Sequence, residues 1–254
     1  MILNGKTVLI AGGRRLGAKL ALDLAARGAN IALSYHSSRD AMLKLVDQCE
    51  QAGVQAEAFP ADLRHPDDVN SLIEETIQRF QTLDVLINMT SIYSKTPFDS
   101  LHPNDYHELI ASNLTAPYFT AVAAARAMRR QPPENGLQGK IIQFADWAVD
   151  RPYRDYLPYL VAKGGLVTLT KALAVELSPT ITVNAIAPGT IEPPPDASYE
   201  QLERIRLSSA LQRTGTHSDI NGAVLYLLEG TDFVTGEVFR IDGGRFLGAT
   251  TGGA

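Results

Sequence analysis

Several things are scarce in this chain of 254 residues, and each scarcity excludes a class of protein. A single cysteine rules out a disulfide framework and any cysteine-rich zinc or iron–sulfur centre. Positive charge is not in excess: 23 Lys and Arg against 28 Asp and Glu leave a formal net charge of −5. A general nucleic-acid surface would need a basic face, so no nucleic-acid partner is expected. Long hydrophobic runs are missing too. The longest uncharged stretch, Leu109 to Ala125, is broken by Asn113, Thr115, Pro117 and Thr120. Spanning a bilayer takes about 20 mainly apolar residues, so no membrane partner is expected either. The first residues, Met1-Ile-Leu-Asn-Gly-Lys6, lead straight into an apolar run without a signal peptide's apolar core and cleavage site. A cytoplasmic protein is therefore expected. The histidines at 36, 65, 102, 107 and 217 lack metal-ligand spacing, so no metal site is expected.

What is present reads as an ordinary globular chain, with 45% apolar and 20% charged residues. Short β-rich runs alternate with helical periods. Strands are predicted at Thr7 to Ala11, Asn30 to Ser34, Val54 to Phe59, Asp84 to Asn88, Lys140 to Ala145, Thr182 to Ala187 and Val238 to Ile241. Met42, Leu45, Val46 and Cys49 fall on one helical face, with Gly53 where a left-handed cap would end that helix. Cys49 accordingly reads as a small buried apolar residue. A third helix repeats the pattern with Val69, Leu72, Ile73, Thr76, Ile77 and Phe80. Pro66 stands at its start, with Asp67 and Asp68 where the helix dipole favours negative charge.

This alternation predicts an α/β fold: one Rossmann-type, doubly wound, mostly parallel seven-stranded sheet with helices on both faces. No linker or repeat interrupts it, so residues 1–247 are expected to form a single domain. Residues 248–254, Gly, Thr and Ala only, are expected to form a flexible tail. Gln131 to Gly136 reads as a surface loop, and Glu192 to Asp196 precedes a helical stretch.

Two regions carry chemistry. After the first strand comes Ala11-Gly12-Gly13-Arg14-Arg15-Leu16-Gly17, a glycine-rich turn into a helix. At this place in a doubly wound sheet, backbone amides can approach a pyrophosphate at the helix amino terminus. After the second strand the segment is Ser34-Tyr35-His36-Ser37-Ser38-Arg39, and the first acid, Asp40, lies already in the next helix. A carboxylate at that strand end would hold the ribose hydroxyl of NAD, whereas basic and hydroxyl groups suit a 2′-phosphate. Arg14, Arg15, His36 and Arg39 are expected to converge on one phosphate, which favours NADPH. Asp62 reads equally well as an acceptor for an adenine amino group or as the cap of the helix at Pro66. The second region is Tyr159-Leu-Val-Ala-Lys163, which puts a phenol and an ammonium on one helix face. A nearby cation is expected to lower the tyrosine pKa towards that of a useful general acid.

Taken in order, the glycine-rich turn, Asp62, Leu86-Ile-Asn88, Asn113, Tyr159, Lys163, Asn184-Ala-Ile-Ala-Pro-Gly189 and Val234 to Gly244 span nearly the whole chain. This series resembles the classical short-chain dehydrogenase/reductases. The resemblance implies that Tyr159 is the acid/base. Lys163 would bind the nicotinamide ribose, and Asn113 would hold a water in the proton relay. Asn88 and Asp62 would contact the adenosine half of the cofactor. Further cofactor contacts implied are Gly12, Leu16, Gly17, Tyr35, Ser37, Ser38, Leu63, Thr90, Pro188, Gly189 and Ile191. In that family the terminal Asp-Gly-Gly helps to pack a tetramer, so a homotetramer or dimer is expected.

The departures from the family are informative. Where it has a serine, 13 residues before the tyrosine, this chain has Asp146. A carboxylate suits a substrate with N–H groups, or one that needs a second protonation. Asp146, Arg15-Leu16-Gly17 and Tyr35-His36-x-Ser38 together resemble the pteridine reductases, which reduce dihydropterins or dihydrofolates with NADPH. Tyr93 matches the aromatic residue that stacks on the pterin there, and Ser91 a serine that touches cofactor and substrate. Trp147, with Tyr153 and Tyr156, reads either as pocket lining or as packing. The glycine-rich loop is one residue short, Met89-Thr90 replaces Asn-Ala, and Pro193 replaces a threonine. The leading expectation is thus an NADPH-dependent reductase of a small pterin or folate-like heterocycle. A reductase of 3-oxoacyl thioesters or other ketones is the alternative, and a cofactor-binding protein with little catalysis is a third reading.

Overall fold

Val8 and Ile10 of the first strand turn to one apolar cluster, Leu9 and Ala11 to another, and all four are buried. A strand buried on both faces needs a continuous apolar sequence, and such strands belong at the centre of a parallel sheet. The computed structural model, which describes residues 1–13, 16–193 and 198–248, has this architecture. Its strands are β1 (Thr7–Gly12), β2 (Asn30–Tyr35), β3 (Ala56–Pro60), β4 (Val85–Met89), β5 (Gly139–Phe144), β6 (Ile181–Pro188) and β7 (Val238–Ile241). They lie in the order β3-β2-β1-β4-β5-β6-β7, and every neighbouring pair is parallel. The sheet is therefore wholly parallel rather than mostly so. The order reverses between β1 and β4, where ligands bind in doubly wound sheets.

The helices are α1 (Leu16–Ala25), α2 (Arg39–Gln51), α3 (Pro66–Phe80), α4 (Pro103–Ile110), α5 (Ala116–Met128), α6 (Leu157–Glu176), α7 (Tyr199–Leu207) and α8 (His217–Leu225). α1, α2 and α8 cover one face of the sheet, and α3, α5 and α6 the other. α2 ends as its sequence requires, with Gly53 at φ +89°. Cys49 lies on its buried face, and burial pushes its thiol up to about 11. Asp62 is not the cap of α3: that position is His65, without a side-chain bond. The Gln131–Gly136 loop is a tight exposed turn closed by a Glu134–Leu137 bridge, with Asn135 and Gly136 at positive φ. Among the described residues no helix is long and apolar enough to cross a membrane. The tail beyond Gly248 lies outside the described residues.

One buried charge fastens the far edge of the sheet. Lys140 on β5 is 1% exposed, and its ammonium donates to the carbonyls of Leu227, Leu228 and Thr231 at 2.9, 2.9 and 2.6 Å. These carbonyls end the π-turn after α8, so the lysine serves as its carboxyl-terminal cap.

Candidate active site

Because all strands are parallel, their carboxyl ends share one edge, and the connections that follow them meet there. β5 stops at Phe144, so Asp146 lies two residues beyond the strand. It caps a short turn by accepting the Ala148 N–H at 2.8 Å. α6 enters from the same side, with Pro158 in its first turn. It presents Tyr159 (4% exposed) and Lys163 (2% exposed) one helical turn apart on its buried face. The Tyr159 hydroxyl donates to the second Asp146 oxygen at 2.7 Å. The Lys163 ammonium donates to the Phe144 carbonyl at 2.7 Å and stands 5.8 Å from the centre of the Tyr159 ring.

This geometry reverses the expected effect on the tyrosine. Burial, and then the adjacent Asp146 charge and hydrogen bond, push the Tyr159 phenol well above the ordinary tyrosine range. Lys163 does not pull it down, because the ammonium faces a backbone carbonyl while the carboxylate touches the hydroxyl. Burial lowers Lys163 itself to about 8, against support from the Asp146 charge. Asp146 is raised by burial, which outweighs its bonds from Ala148 and Tyr159 and the charges of Lys163 and Arg245. The three groups thus form one coupled set holding a proton on the phenol.

Asn113 sits in a π-turn, Ala111–Thr115, between α4 and α5. Such turns swing a side chain out of helical register and are frequent at functional sites. Its Oδ1 accepts from Ser91 Oγ at 2.8 Å and from the Ile92 N–H at 3.2 Å. Its Nδ2 donates to the carbonyls of Ile92 and Leu109, both at 3.0 Å. All four hydrogen-bonding positions of the amide are filled. The side-chain amide therefore has no position left for a relay water. It pins the segment after β4, and Ser91 with it, against the helix pair.

That segment carries Tyr93, and an aromatic group collects around it. Tyr93 stacks on Tyr156 with centroids 4.5 Å apart, and meets Tyr159 edge-on at 5.0 Å. The Tyr153 hydroxyl donates to that of Tyr93 at 3.1 Å, and Tyr153 stacks on Trp147 at 6.1 Å. Tyr93 remains 57% exposed although it borders the buried phenol. Trp147 is buried, whereas Tyr153 and Tyr156 are half-buried. The aromatic residues are thus wall and packing at once. Over the outer face of Trp147 lies Arg245, its guanidinium 4.5 Å from the ring centre. The reading of the sequence missed this residue, although it directly follows the Asp-Gly-Gly where the last strand turns back.

At the other end, a cavity of about 510 Å³ is lined by Gly12, Gly13, residues 34–38, Asp62, Leu63, Arg64 and residues 90–92, among others. Gly12 and Gly13 have φ of +76° and +77°. A Cβ on Gly12 would come within 3.0 Å of Thr90, and one on Gly13 within 2.6 Å of the Met89 Cβ. Met89 therefore fills the space under the shortened turn, and its sulfur also lies 3.4 Å from where a Cβ on Gly17 would stand. Leu16 packs against the core beneath.

Of the expected basic group, His36 lines the cavity. Arg14 and Arg15 lie outside the described residues, and Arg39 is exposed and does not line the cavity. Among the described residues the guanidinium that does is Arg64, bonded to Asp62 at 2.8 and 2.6 Å, with His36 3.7 Å from the same carboxylate. Arg64 holds Asp62 down at about 2. Asn88 lies beneath this region, buried, donating to the Pro117 carbonyl at 3.2 Å. Pro188 and Gly189 close β6. A Cβ on Gly189 would approach the Asp242 Cα to 2.7 Å, and Ile191 pairs with Gly215.

Four likenesses to known proteins fit this arrangement. A family model described as enoyl-(acyl carrier protein) reductase matches residues 10–245. The 3-oxoacyl-[acyl-carrier-protein] reductase FabG of Staphylococcus aureus is 31% identical over 249 residues, covering 95% of this chain and 98% of that protein. Versicolorin reductase 1 of Aspergillus parasiticus is 30% identical over 262 residues, covering 96% and 97%. Among solved structures, a short-chain dehydrogenase/reductase from Serratia marcescens superposes with a TM-score of 0.88. It is 29% identical over 97% of this chain and 100% of that one.

Proposed function

The chain belongs to the short-chain dehydrogenase/reductase family, and from that premise we propose that it reduces a flat, nitrogen-bearing heterocycle of the dihydropterin or dihydrofolate type with NADPH. The observation that carries this reading is the Tyr159 hydroxyl donating to the Asp146 carboxylate beside the exposed ring of Tyr93. A carboxylate in that place has no hydrogen bond to give a ketone oxygen. It accepts N–H groups, which a pterin edge offers and a ketoester does not. The open face of Tyr93 suits a flat ring, since stacking contributes about 0.5–1.5 kcal/mol beyond burial.

The residues present fit a nicotinamide dinucleotide. Gly12 and Gly13 adopt conformations that favour glycine, in a turn where added Cβ atoms would collide with residues 89 and 90. Gly12, Gly13, Thr90, Asp62 and Leu63 line the cavity beside that turn and would hold the adenosine and pyrophosphate. Ser37, Ser38, His36 and Arg64 would surround the ribose phosphate, which supports NADPH over NADH. Ser34 to Ser38 contribute no carboxylate, and Asp62 is already neutralised by Arg64. When bound, the dinucleotide supplies the hydride that adds to the carbon of the substrate C=N bond. Tyr159 gives its proton to the neighbouring nitrogen, for which burial and Asp146 keep it protonated. Lys163 stays on the Phe144 carbonyl, one helical turn from Tyr159, where it would meet the ribose next to the nicotinamide. Asp146 orients the ring through its N–H groups. Family membership supports a homotetramer or dimer and a cytoplasmic location.

The names of the relatives favour a second reading, a reductase of 3-oxoacyl thioesters, because they match over 95% of the chain. A panel of dihydrobiopterin, dihydrofolate and a β-ketoester, each assayed with NADPH and NADH, separates the two. The heterocycle reading expects the highest kcat/KM for a dihydropterin or dihydrofolate with NADPH. A β-ketoester turned over faster than both would replace it with the second reading.

A further inference from the structure

Arg245 takes no part in the chemistry above, yet the fold goes to some length to position it. Asp242 accepts the Gly244 N–H at 2.9 Å and the Phe246 N–H at 2.7 Å, with Gly243 and Gly244 at φ of +61° and +78°. The turn reverses the chain at the end of β7 and brings Arg245 back over the strand ends. Two cations lock it there. Arg151, from the loop after Asp146, donates to the Arg245 carbonyl at 3.0 Å. Arg240 covers the Phe246 ring at 4.0 Å and lies 3.4 Å from Asp150 in the same loop.

The guanidinium so positioned is half-buried against Trp147 and donates to the Thr190 hydroxyl. Among the described residues that is the side chain's one hydrogen bond, from a group with five N–H donors. Its charge also acts on that of Asp146, without an ion pair between the two among the described residues. A half-buried cation with spare donors, seated on Trp147 next in the chain to an acceptor that binds N–H groups, offers a donor–acceptor pair. A cyclic amide presents the complementary edge, a carbonyl oxygen next to a ring N–H. A 3-oxoacyl chain presents oxygens alone.

We propose that Arg245 is a specificity residue that donates to the ring carbonyl of a cyclic amide while Asp146 accepts the neighbouring ring N–H. The proposal rests on the heterocycle reading and deepens it. Trp147 is the only tryptophan of the chain, so its fluorescence reports on this site without turnover. Pterin, with a 4-oxo group, and 2,4-diaminopteridine, in which an amino group replaces it, are titrated against that signal. The wild type should bind pterin at least about tenfold more tightly, because the amino group sets a donor against the guanidinium. Arg245→Met, which keeps the stem over Trp147, should lose that discrimination, and Arg245→Lys should restore part of it. The same ratio of dissociation constants in wild type and Arg245→Met would overturn the inference and leave the heterocycle reading standing. If neither compound quenches the wild type and no dihydropterin is turned over, the heterocycle reading fails and Arg245's role fails with it.

Discussion

Replacing Asp146 by serine tests the centre of the mechanism. The carboxylate accepts the Tyr159 hydroxyl at 2.7 Å, and a hydrogen bond to a charged group contributes about 1.5–3 kcal/mol. One pKa unit corresponds to about 1.4 kcal/mol, so loss of this bond should lower the phenol pKa by about 1–2 units. Burial, the larger cause of the elevation, persists in the variant, and the phenol stays above its ordinary value. Lys163 moves in the same direction. Its pKa of about 8 is supported by the Asp146 charge, so without the carboxylate its ammonium deprotonates at lower pH. The phenol still titrates above the neutral range, so the alkaline limb of kcat/KM follows Lys163 and moves towards neutrality. The assay is NADPH oxidation across the neutral and alkaline range, with a β-ketoester and a dihydropterin compared side by side. Asp146→Ser should shift the limb down by about one unit or more. It should speed the β-ketoester reaction up to about tenfold, and slow the dihydropterin reaction by at least about tenfold. An alkaline limb that stays in place, or moves up, would refute the idea that the Asp146 charge supports the Lys163 ammonium.

Two further outcomes concern the frame. Lys140→Met should destabilise the protein by about 2–4 kcal/mol in urea unfolding. Three carbonyls lose their donor, and the relief of no longer burying an ammonium offsets part of that loss. Asp232→Asn, at the half-exposed partner 2.6 Å away, should cost less than about 1 kcal/mol in the same measurement. Gly13→Ala combines a left-handed backbone with a Cβ within 2.6 Å of Met89. It should cost more than the ~1–2 kcal/mol of the backbone alone, and weaken NADPH binding in a fluorescence titration. Met89→Gly in the same chain, which removes the Cβ with the thioether, should return about 1 kcal/mol or more as a favourable coupling. Additive effects of the two changes would mean that Met89 does not support the turn.

The sequence by itself determined the frame and the order of parts. Alternating apolar runs and helical periods specify local structure, because each strand or helix face must be buried somewhere. Seven runs with helices between them leave a parallel sheet as the simple solution. The Tyr159/Lys163 pair was legible for the same reason, since residues four apart on one helix share a face. Strand ends were less so: β5 stops short of Asp146 because that side chain turns back to cap its own loop. What only the tertiary structure decided is where groups distant in sequence meet. Asp146, and not Lys163, touches the phenol; Arg64, and not Arg39, lines the cavity beside Gly12 and Gly13; and Asn113 commits its amide to Leu109 and to the segment that holds Ser91 and Tyr93. Arg245 lies 99 positions after Asp146 in the chain, but the Asp242 turn brings it over Trp147, the residue next to Asp146. Periodicity reports which face of an element is buried. It carries no distance between elements, and a charge's effect on its neighbour depends on that distance.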